Sequence, residues 1–515
     1  MQPARMLLRN AVILCQDSAP AATALAVDGD RIVWLGDEAG AEAYAGAYEV
    51  LDLRGGFLAP AFVDAHVHTV QAGFRLTELD LHGAPSLTDL LDRLSAYAAL
   101  QAAGSVVLGQ GWDETLWPEG RPPTAEEVDR ATGGLRTFLS RIDGHSAVVS
   151  SALADAVPGL PAQDGWTPDG RVERDAHHAV RAVLAGLVGP EQRLDAARIA
   201  ARAMAANGVA GFHENAAPHI GPEYEVDLVR QAATETGLRA TVYWGELGAL
   251  DAAQRLGVAG LAGDLNADGA VGSRTAAMHT AYADREHHCG HGYLSAAEIA
   301  EHVVLCTEHG LQAGFHCIGD AAMDAIAEGF DLAATRVGLQ RLRAARHRLE
   351  HVEMPSPQAI AVLDRCGVTA SVQPVFDALW GGPEGMYAER LGERWKGMNP
   401  FRALAAAGVQ LAFGSDSPVT PIGPWAAVRA AVQHQDPDQR VDVRSAFEAH
   451  SRGGWAAGRD DDSGHLRPGL RADLAVWDVP GGLGRHGLPD LDADLPVLRR
   501  TIGAGRTIHD AEVDA

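Results

Sequence analysis

The sequence predicts an α/β fold: a (β/α)8 TIM-like barrel, with a small β-sandwich domain formed from both chain ends and a large insertion after barrel strand 1. Three observations predict it. Eight apolar runs of strand length recur along the chain, with helical patterns such as Leu194 to Ala206 and Ala296 to His309 in the intervals. Several of those runs end in a residue able to bind a metal or handle a proton, as expected where a barrel gathers its site at the C-terminal strand ends. Short strands separated by turns occupy both ends of the chain.

At the N-terminal end the strands are Met6 to Leu14, Thr23 to Val27 and Arg31 to Leu35, the last two joined by the turn Asp28-Gly29-Asp30. At the far end, Gly469, the run Ala472 to Trp477 and the terminal Thr501 to Ile508 have the same character, so the two ends can pair into one small domain. This divides the chain into 1–56, the barrel at 57–464, and 465–515. The barrel runs are Ala61 to Val67, Val209 to Glu214, Ala240 to Trp244, Leu261 to Asn266, Gln312 to His316, Arg348 to His351, Val368 to Gln373 and Gln410 to Ser415. The interval between the first two is far too long for one helix. Roughly 69–190 is therefore an insertion with its own strands, Val106 to Trp112 and Arg136 to Ile142.

Composition narrows the function. A chain of 515 residues, 47% hydrophobic and 21% charged, buries a large core. Its formal charge of -26 repels phosphate backbones and anionic lipid surfaces, which argues against nucleic acid or a membrane as partner and leaves a small molecule. The five cysteines, Cys15, Cys289, Cys306, Cys317 and Cys366, form no Cys-x-x-Cys pair and are odd in number, so a reducing, cytoplasmic setting is expected. No stretch has the length and apolarity of a membrane span, and no apolar leader with a cleavage site stands at the start.

The chemistry begins at His66-Val67-His68. On a strand, residues i and i+2 face the same way, so both imidazoles can grip one ion while Val67 turns outward. Asp64 stands two residues earlier. His316, followed by Gly319-Asp320, and His351 close two further runs, and Asp416 follows another; a buried carboxylate there must be paired or bound to a cation. Four histidines and an aspartate at four strand ends would converge on the barrel mouth. Such ligands suit zinc, with a coordination position left for water, and manganese and iron accept the same ligand types.

The segments Ala59-Pro60-Ala61-Phe62-Val63-Asp64-Ala65-His66-Val67-His68, Arg141-Ile142-Asp143-Gly144-His145-Ser146, Ala267-Asp268-Gly269-Ala270-Val271-Gly272-Ser273-Arg274-Thr275, His316-Cys317-Ile318-Gly319-Asp320, Glu350-His351, Ser371-Val372-Gln373-Pro374, Gly414-Ser415-Asp416-Ser417-Pro418-Val419 and Leu466 to Val476 resemble the amidohydrolase superfamily, in the branch of N-substituted formamide deformylases and YtcJ-like proteins. The resemblance covers nearly the whole chain. It implies that His66, His68 and Asp416 bind a first metal, and that His316 and His351 bind a second or complete a mononuclear site. It also implies a homodimer or larger assembly. Many relatives carry a carboxylated lysine on the fourth strand that bridges two metals; here Asp264 aligns with it, and Lys396, the sole lysine, lies between the seventh and eighth strands. Either Asp264 or Glu214 substitutes as a shorter carboxylate, or one metal is held, the preferred set being His66, His68, His316 and Asp416. The expected cofactor is thus one or two divalent cations, zinc foremost. Water made acidic by the cation would lose its proton to Asp416, which passes it to the leaving nitrogen, while His351 would stabilise the oxyanion.

Other residues carry weaker signals. Arg141, Asp143 and His145 can cover the mouth as a substrate lid or form an ion-paired turn that fastens the insertion. Asp268 and Arg274 can contact substrate or fix their loop, and Gln373 closes the seventh strand facing the mouth. Trp112, Trp117 and Trp380 can line an apolar pocket. His287, His288 and His291 read as a solvated loop. His177 and His178 adjoin on a helix and face different ways, so joint ligation is not expected. His213-Glu214 lacks the second histidine of a zinc-protease helix. The leading function is metal-dependent hydrolysis of a non-peptide carbon–nitrogen bond in a small amide, formamide or cyclic amide. Deamination of a ring amidine, and a non-catalytic barrel serving as a binding protein, are the alternatives.

Overall fold

The apolar stretch at the start of the barrel serves two sheets in succession. The computed structural model describes residues 5–14, 22–102, 104–484, 486–492 and 494–513. Phe57–Pro60 lies in a five-stranded sheet, and after Ala61 the chain enters the first barrel strand. That sheet runs Val12–Ile13, Phe57–Pro60, Leu474–Asp478, Val497–Gly503, Arg506–Asp510, so strands from the two ends of the chain pair directly, with Ala475 opposite Ala59. A second sheet of four strands, from Arg5–Arg9, Ala24–Asp28, Arg31–Gly36 and Glu49–Asp52, packs on it. Met6, Leu8, Val27, Leu58, Val476 and Ile502 share the core between them.

The barrel strands are β1 (Phe62–Val67), β2 (Val209–Ala216), β3 (Arg239–Trp244), β4 (Gly260–Leu261), β5 (Gln312–Cys317), β6 (Arg348–His351), β7 (Thr369–Val372) and β8 (Gln410–Phe413), each parallel to its neighbours. The sheet closes on itself just beyond β8, where the His68 amide donates to Ser417 O at 2.9 Å and the Asp416 amide to His66 O at 2.7 Å. The eight-stranded parallel barrel is the one expected, and its strands fall on the runs read from the sequence. Outward residues of β1 meet the helices: Phe62 packs among Trp425, Phe447 and Trp477 at ring-centroid distances of 5.2, 5.2 and 5.9 Å. Burying one such ring contributes roughly 1.5–3 kcal/mol.

One strand is shorter than its apolar run. The fourth run was expected to extend to Asn266, but β4 ends at Leu261, with a single further bridge from Asn266 to His316. Gly263 is the cause: its φ is +81°, which residues other than glycine rarely adopt, and a Cβ there would press on Asn215. The kink places Asp264 at the mouth of the barrel.

The insertion folds as a five-stranded sheet of Leu79–Asp80, Val106–Trp112, Arg136–Arg141, Ser146–Val149 and Arg171–Glu173, followed by the helix Arg174–Leu187. Its turn after Arg141 is tied to the loop beyond β4, since Ser273 Oγ donates to Asp143 Oδ2 at 2.6 Å. Among the described residues no helix is long and apolar enough to cross a membrane. Cys289, Cys306, Cys317 and Cys366 are free thiols, and Cys15 lies outside the described residues.

The helix Thr69–Thr77, which leaves β1, crosses the helix Pro190–Ala205 at Gly73, where an added Cβ would overlap the carbonyl of Ala196. Gly73→Ala is expected to lower stability by about 1–3 kcal/mol, the usual range for overpacking. Gly186→Ala, at a helical position with nothing within 4 Å of the new carbon, is expected not to lower it. Chemical denaturation midpoints of the two variants check this contrast.

Candidate metal centre

Inside the barrel, β6 departs from the usual layers of branched aliphatic side chains. β6 alternates Arg348 and Glu350 inward, both fully buried. Arg348 donates to both Glu350 oxygens at 2.6 and 2.8 Å, to Ala65 O at 2.6 Å and to Ser371 Oγ at 3.0 Å, and its NH1 lies 2.7 Å from His213 Nδ1. Burial opposes the charge on Glu350, but the Arg348 guanidinium holds its carboxyl down at about 2. The ionised Glu350 then accepts from His66 Nδ1 at 2.8 Å. This fixes the tautomer of His66 and leaves the lone pair of Nε2 facing the barrel mouth.

The same logic repeats around the mouth. His351 Nδ1 lies 2.8 Å from Gln373 Oε1, an acceptor, so His351 Nε2 carries the lone pair. His316 Nε2 lies 3.2 Å from Gly269 O, which leaves His316 Nδ1 bare. His66 Nε2, His316 Nδ1, Asp264 Oδ1 and Asp416 Oδ1 are all buried without a hydrogen-bond partner among the described residues. Acceptor atoms facing one another in a dry interior are costly unless a cation or protons lie among them.

Their spacing selects a set. His66 Nε2 lies 3.3 Å from Asp416 Oδ1 and 3.4 Å from Asp264 Oδ1; His68 Nε2 lies 3.2 Å from Asp416 Oδ1 and 3.1 Å from Asp264 Oδ2. Ligands held tetrahedrally at about 2.0–2.1 Å from one ion stand about 3.3 Å apart, close to each of these four separations. His66, His68 and Asp416 form one candidate group, and His66, Asp264 and His351 an overlapping one. His316 Nδ1 and His351 Nε2 stand farther off, at 3.8 and 3.9 Å from Asp264 Oδ1. Burial opposes charge on both carboxylates, yet His66 first and then the neighbouring histidines hold Asp264 and Asp416 well below the usual carboxylate range. Two ligand-bearing residues sit in the left-handed region, His351 at φ 71° and Asp416 at φ 53°, a strain that functional sites commonly store.

Several expectations shift with this geometry. Asp264 comes within 3.1–3.4 Å of His66 and His68, while His316 Nδ1 faces it from 3.8 Å. Glu214 is turned elsewhere: it accepts from the Thr69 amide at 2.9 Å and from the Thr69 hydroxyl. His351 presents a lone pair to the cluster, which suits ligation and leaves no N–H for an oxyanion. Gln373 meets His351 and is absent from the cavity lining, so it positions that ring.

The cavity above the cluster, about 980 Å³ including its open mouth, is lined by Asp264, Asp416, His68, His316 and His351 from the barrel and by residues of the insertion. Arg141 and Asp143 reach its wall, but Arg141 is consumed by three carboxylates, donating to Asp113, Glu114 and Asp143 at 2.9, 2.8 and 2.8 Å. It fastens the turn. His145 does face the cavity, its ring 4.8 Å from that of His316, and burial followed by the nearby His316 pushes it down to about 3, so it is neutral. Asp268 accepts the amides of Ala277, Ile318 and Gly319 and holds the loop beyond β4. Arg274 pairs with Asp284, outside the cavity. Trp112 is fully buried in the core of the insertion, donating to Leu139 O at 2.9 Å, and Trp117 packs beside it. Trp380 does line the cavity, as do His177, His178, Arg181 and His219, which the sequence reading left out of the site.

A closed parallel barrel with buried imidazoles and carboxylates converging at its C-terminal mouth defines a metal-dependent hydrolase. The chain belongs to the amidohydrolase family, whose model matches residues 49–509. The N-substituted formamide deformylase of Arthrobacter pascens is 25% identical to it over 89% of this chain and 90% of its own length. The putative amidohydrolase YtcJ of Bacillus subtilis (strain 168) is 24% identical, over 83% of this chain and 85% of its own. The crystal structure of an uncharacterized metal-dependent hydrolase from Pyrococcus furiosus matches with a TM-score of 0.71 at 25% identity, covering 92% of this chain and 98% of that one. Fold and family together make the chain a hydrolase of carbon–nitrogen bonds.

Glu350 reaches the candidate cation site through His66. Glu350→Gln is expected to weaken metal affinity by about 10–100-fold, the usual cost of losing the carboxylate behind a ligating histidine. Competition against a calibrated chelator measures it; an affinity equal to that of the unsubstituted protein would contradict the role.

Proposed function

We propose that the enzyme cleaves the acyclic amide of a small N-formyl or N-acyl compound to an acid and an amine, with one zinc ion held by His66, His68, Asp264 and Asp416. The observation that carries this reading is the convergence of His66, His68, Asp264 and Asp416, with imidazole-to-carboxylate separations of 3.1–3.4 Å, at a substrate-sized cavity. Imidazole nitrogens and carboxylate oxygens without a thiolate suit zinc. A bound divalent cation supplies Lewis acidity and brings the pKa of coordinated water to about 7.

The remaining steps belong to the chain. Asp416, ionised at neutral pH, accepts the proton of the attacking water and returns it to the departing nitrogen. The Arg348–Glu350 pair and Gln373 keep His66 and His351 from rotating. The neutral His145, on the turn fastened by Arg141, supplies an N–H toward the substrate carbonyl from the side opposite the barrel. The insertion covers the mouth and limits access of bulk water. The name of the Arthrobacter pascens relative favours an N-substituted formamide among the amides. The four free cysteines support a reducing, cytoplasmic setting.

Assayed on a panel of N-formyl, N-acyl and cyclic amides, the zinc-loaded enzyme is expected to release acid and amine from acyclic members. Asp416→Asn is expected to lower turnover by about 10²–10⁴-fold. Release of ammonia from ring amidines in place of acid would select deamination, and near-normal turnover by Asp416→Asn would remove Asp416 from proton transfer.

A further inference from the structure

The helix Arg174–Leu187 of the insertion brings His177, His178 and Arg181 to the cavity, Arg181 standing one turn beyond both histidines, four residues after His177 and three after His178. Arg181 differs from the other arginine of the lining. Arg141 is neutralised by Asp113, Glu114 and Asp143. Arg181 has no hydrogen bond or ion pair among the described residues, its Nε is buried without a partner, its guanidinium lies over the Phe138 ring at 5.9 Å, and it feels the carboxylates of Asp264 and Glu225 only through space. In a chain of net charge -26, an unpaired guanidinium in the wall of the active cavity is out of keeping with its surroundings. A partly buried cation held this way is costly unless a ligand completes it.

What surrounds Arg181 indicates the ligand. His178 and His219 stand with ring centroids 4.8 Å apart beside it, and burial, with help from Arg181, keeps His177, His178 and His219 neutral. The lining therefore offers one guanidinium that no carboxylate contacts directly. Arg181 also borders a smaller apolar chamber formed by Phe74, Leu108, Phe138, Leu184 and Val188, whose other arginine, Arg193, pairs with Glu225. Burial pushes the Arg181 guanidinium down only to about 10, so it is cationic at neutral pH.

We propose that the substrate carries a carboxylate next to an apolar group, the carboxylate binding the guanidinium of Arg181 while the scissile amide lies at the metal centre. This rests on the amide-hydrolysis reading above. A planar guanidinium matches a carboxylate through two parallel hydrogen bonds, and a single charge suits that singly charged group better than a phosphate. Arg181 is on this account a specificity-determining residue that takes no part in bond cleavage.

The test compares N-formyl-leucine with its neutral counterpart N-formyl-leucinamide, and separately measures calorimetric binding of 4-methylpentanoate, which has no amide to cleave, to the zinc-loaded enzyme. The unsubstituted enzyme is expected to favour the acid over the leucinamide by about 100-fold, through KM more than kcat. In Arg181→Gln that ratio is expected to fall toward one and binding of 4-methylpentanoate to weaken by a similar factor, with Arg181→Lys restoring part of both. Equal use of acid and leucinamide by the unsubstituted enzyme, or 4-methylpentanoate binding that Arg181→Gln does not alter, would overturn the proposal. If neither formyl compound is cleaved while 4-methylpentanoate binding still depends on Arg181, the amide-hydrolysis reading fails and the carboxylate site stands.

Discussion

Closure of the barrel between its first and last strands governs everything at the mouth. The backbone bonds from His68 to Ser417 and from Asp416 to His66 join segments about 350 positions apart, and His66, His68 and Asp416 among them are the residues whose side chains face the candidate cation site. Asp64 reinforces the seam, its Oδ1 accepting the amides of Ser415 at 2.8 Å and His66 at 3.3 Å. With that seam in register, His66 Nε2, His68 Nε2 and Asp416 Oδ1 meet as a consequence of backbone pairing. A slip by one residue would turn both histidines to the helix layer.

A second constraint lies deeper. The barrel interior holds an arginine and a glutamate, Arg348 and Glu350, where branched aliphatics would pack with less risk. The guanidinium of Arg348 is met by Glu350, Ala65 O, Ser371 and His213, which limits the desolvation cost, and the output of the network is the orientation of one imidazole. The mouth is different: acceptors there face acceptors. The interior is thus polar and satisfied in its middle, polar and unsatisfied at its top, and that gradient localises a cation. The insertion adds the remaining wall, fastened by Arg141 and its three carboxylates and by the bond from Ser273 to Asp143.

Much of this was legible in the sequence, for identifiable reasons. Barrel strands are apolar on both faces, so each stood out as a run, and the residues closing those runs included His66, His68, His316, His351 and the following Asp416. Strand periodicity also explains why His66 and His68 act together. The fourth strand misled because an apolar run does not reveal the kink at Gly263. Arg348 and Glu350 went unread as a network, although their i, i+2 spacing on a strand one residue before His351 was an available signal. His177, His178 and Arg181 were harder still: helical spacing turned the two histidines different ways, and only the docking of the insertion on the barrel brings all three to the cavity. Trp112, Asp268 and Arg274 were open between support and substrate contact, and burial and hydrogen bonding assign them to support.

The central claim, that one divalent cation joins side chains from opposite edges of the closed barrel, is tested most directly by anomalous diffraction at the zinc edge from crystals of the zinc-loaded protein. The account predicts a single strong peak bonded to His66 Nε2, His68 Nε2, Asp264 and Asp416. Two peaks of equal strength sharing Asp264, or one bonded to His316 in place of Asp264, would contradict it.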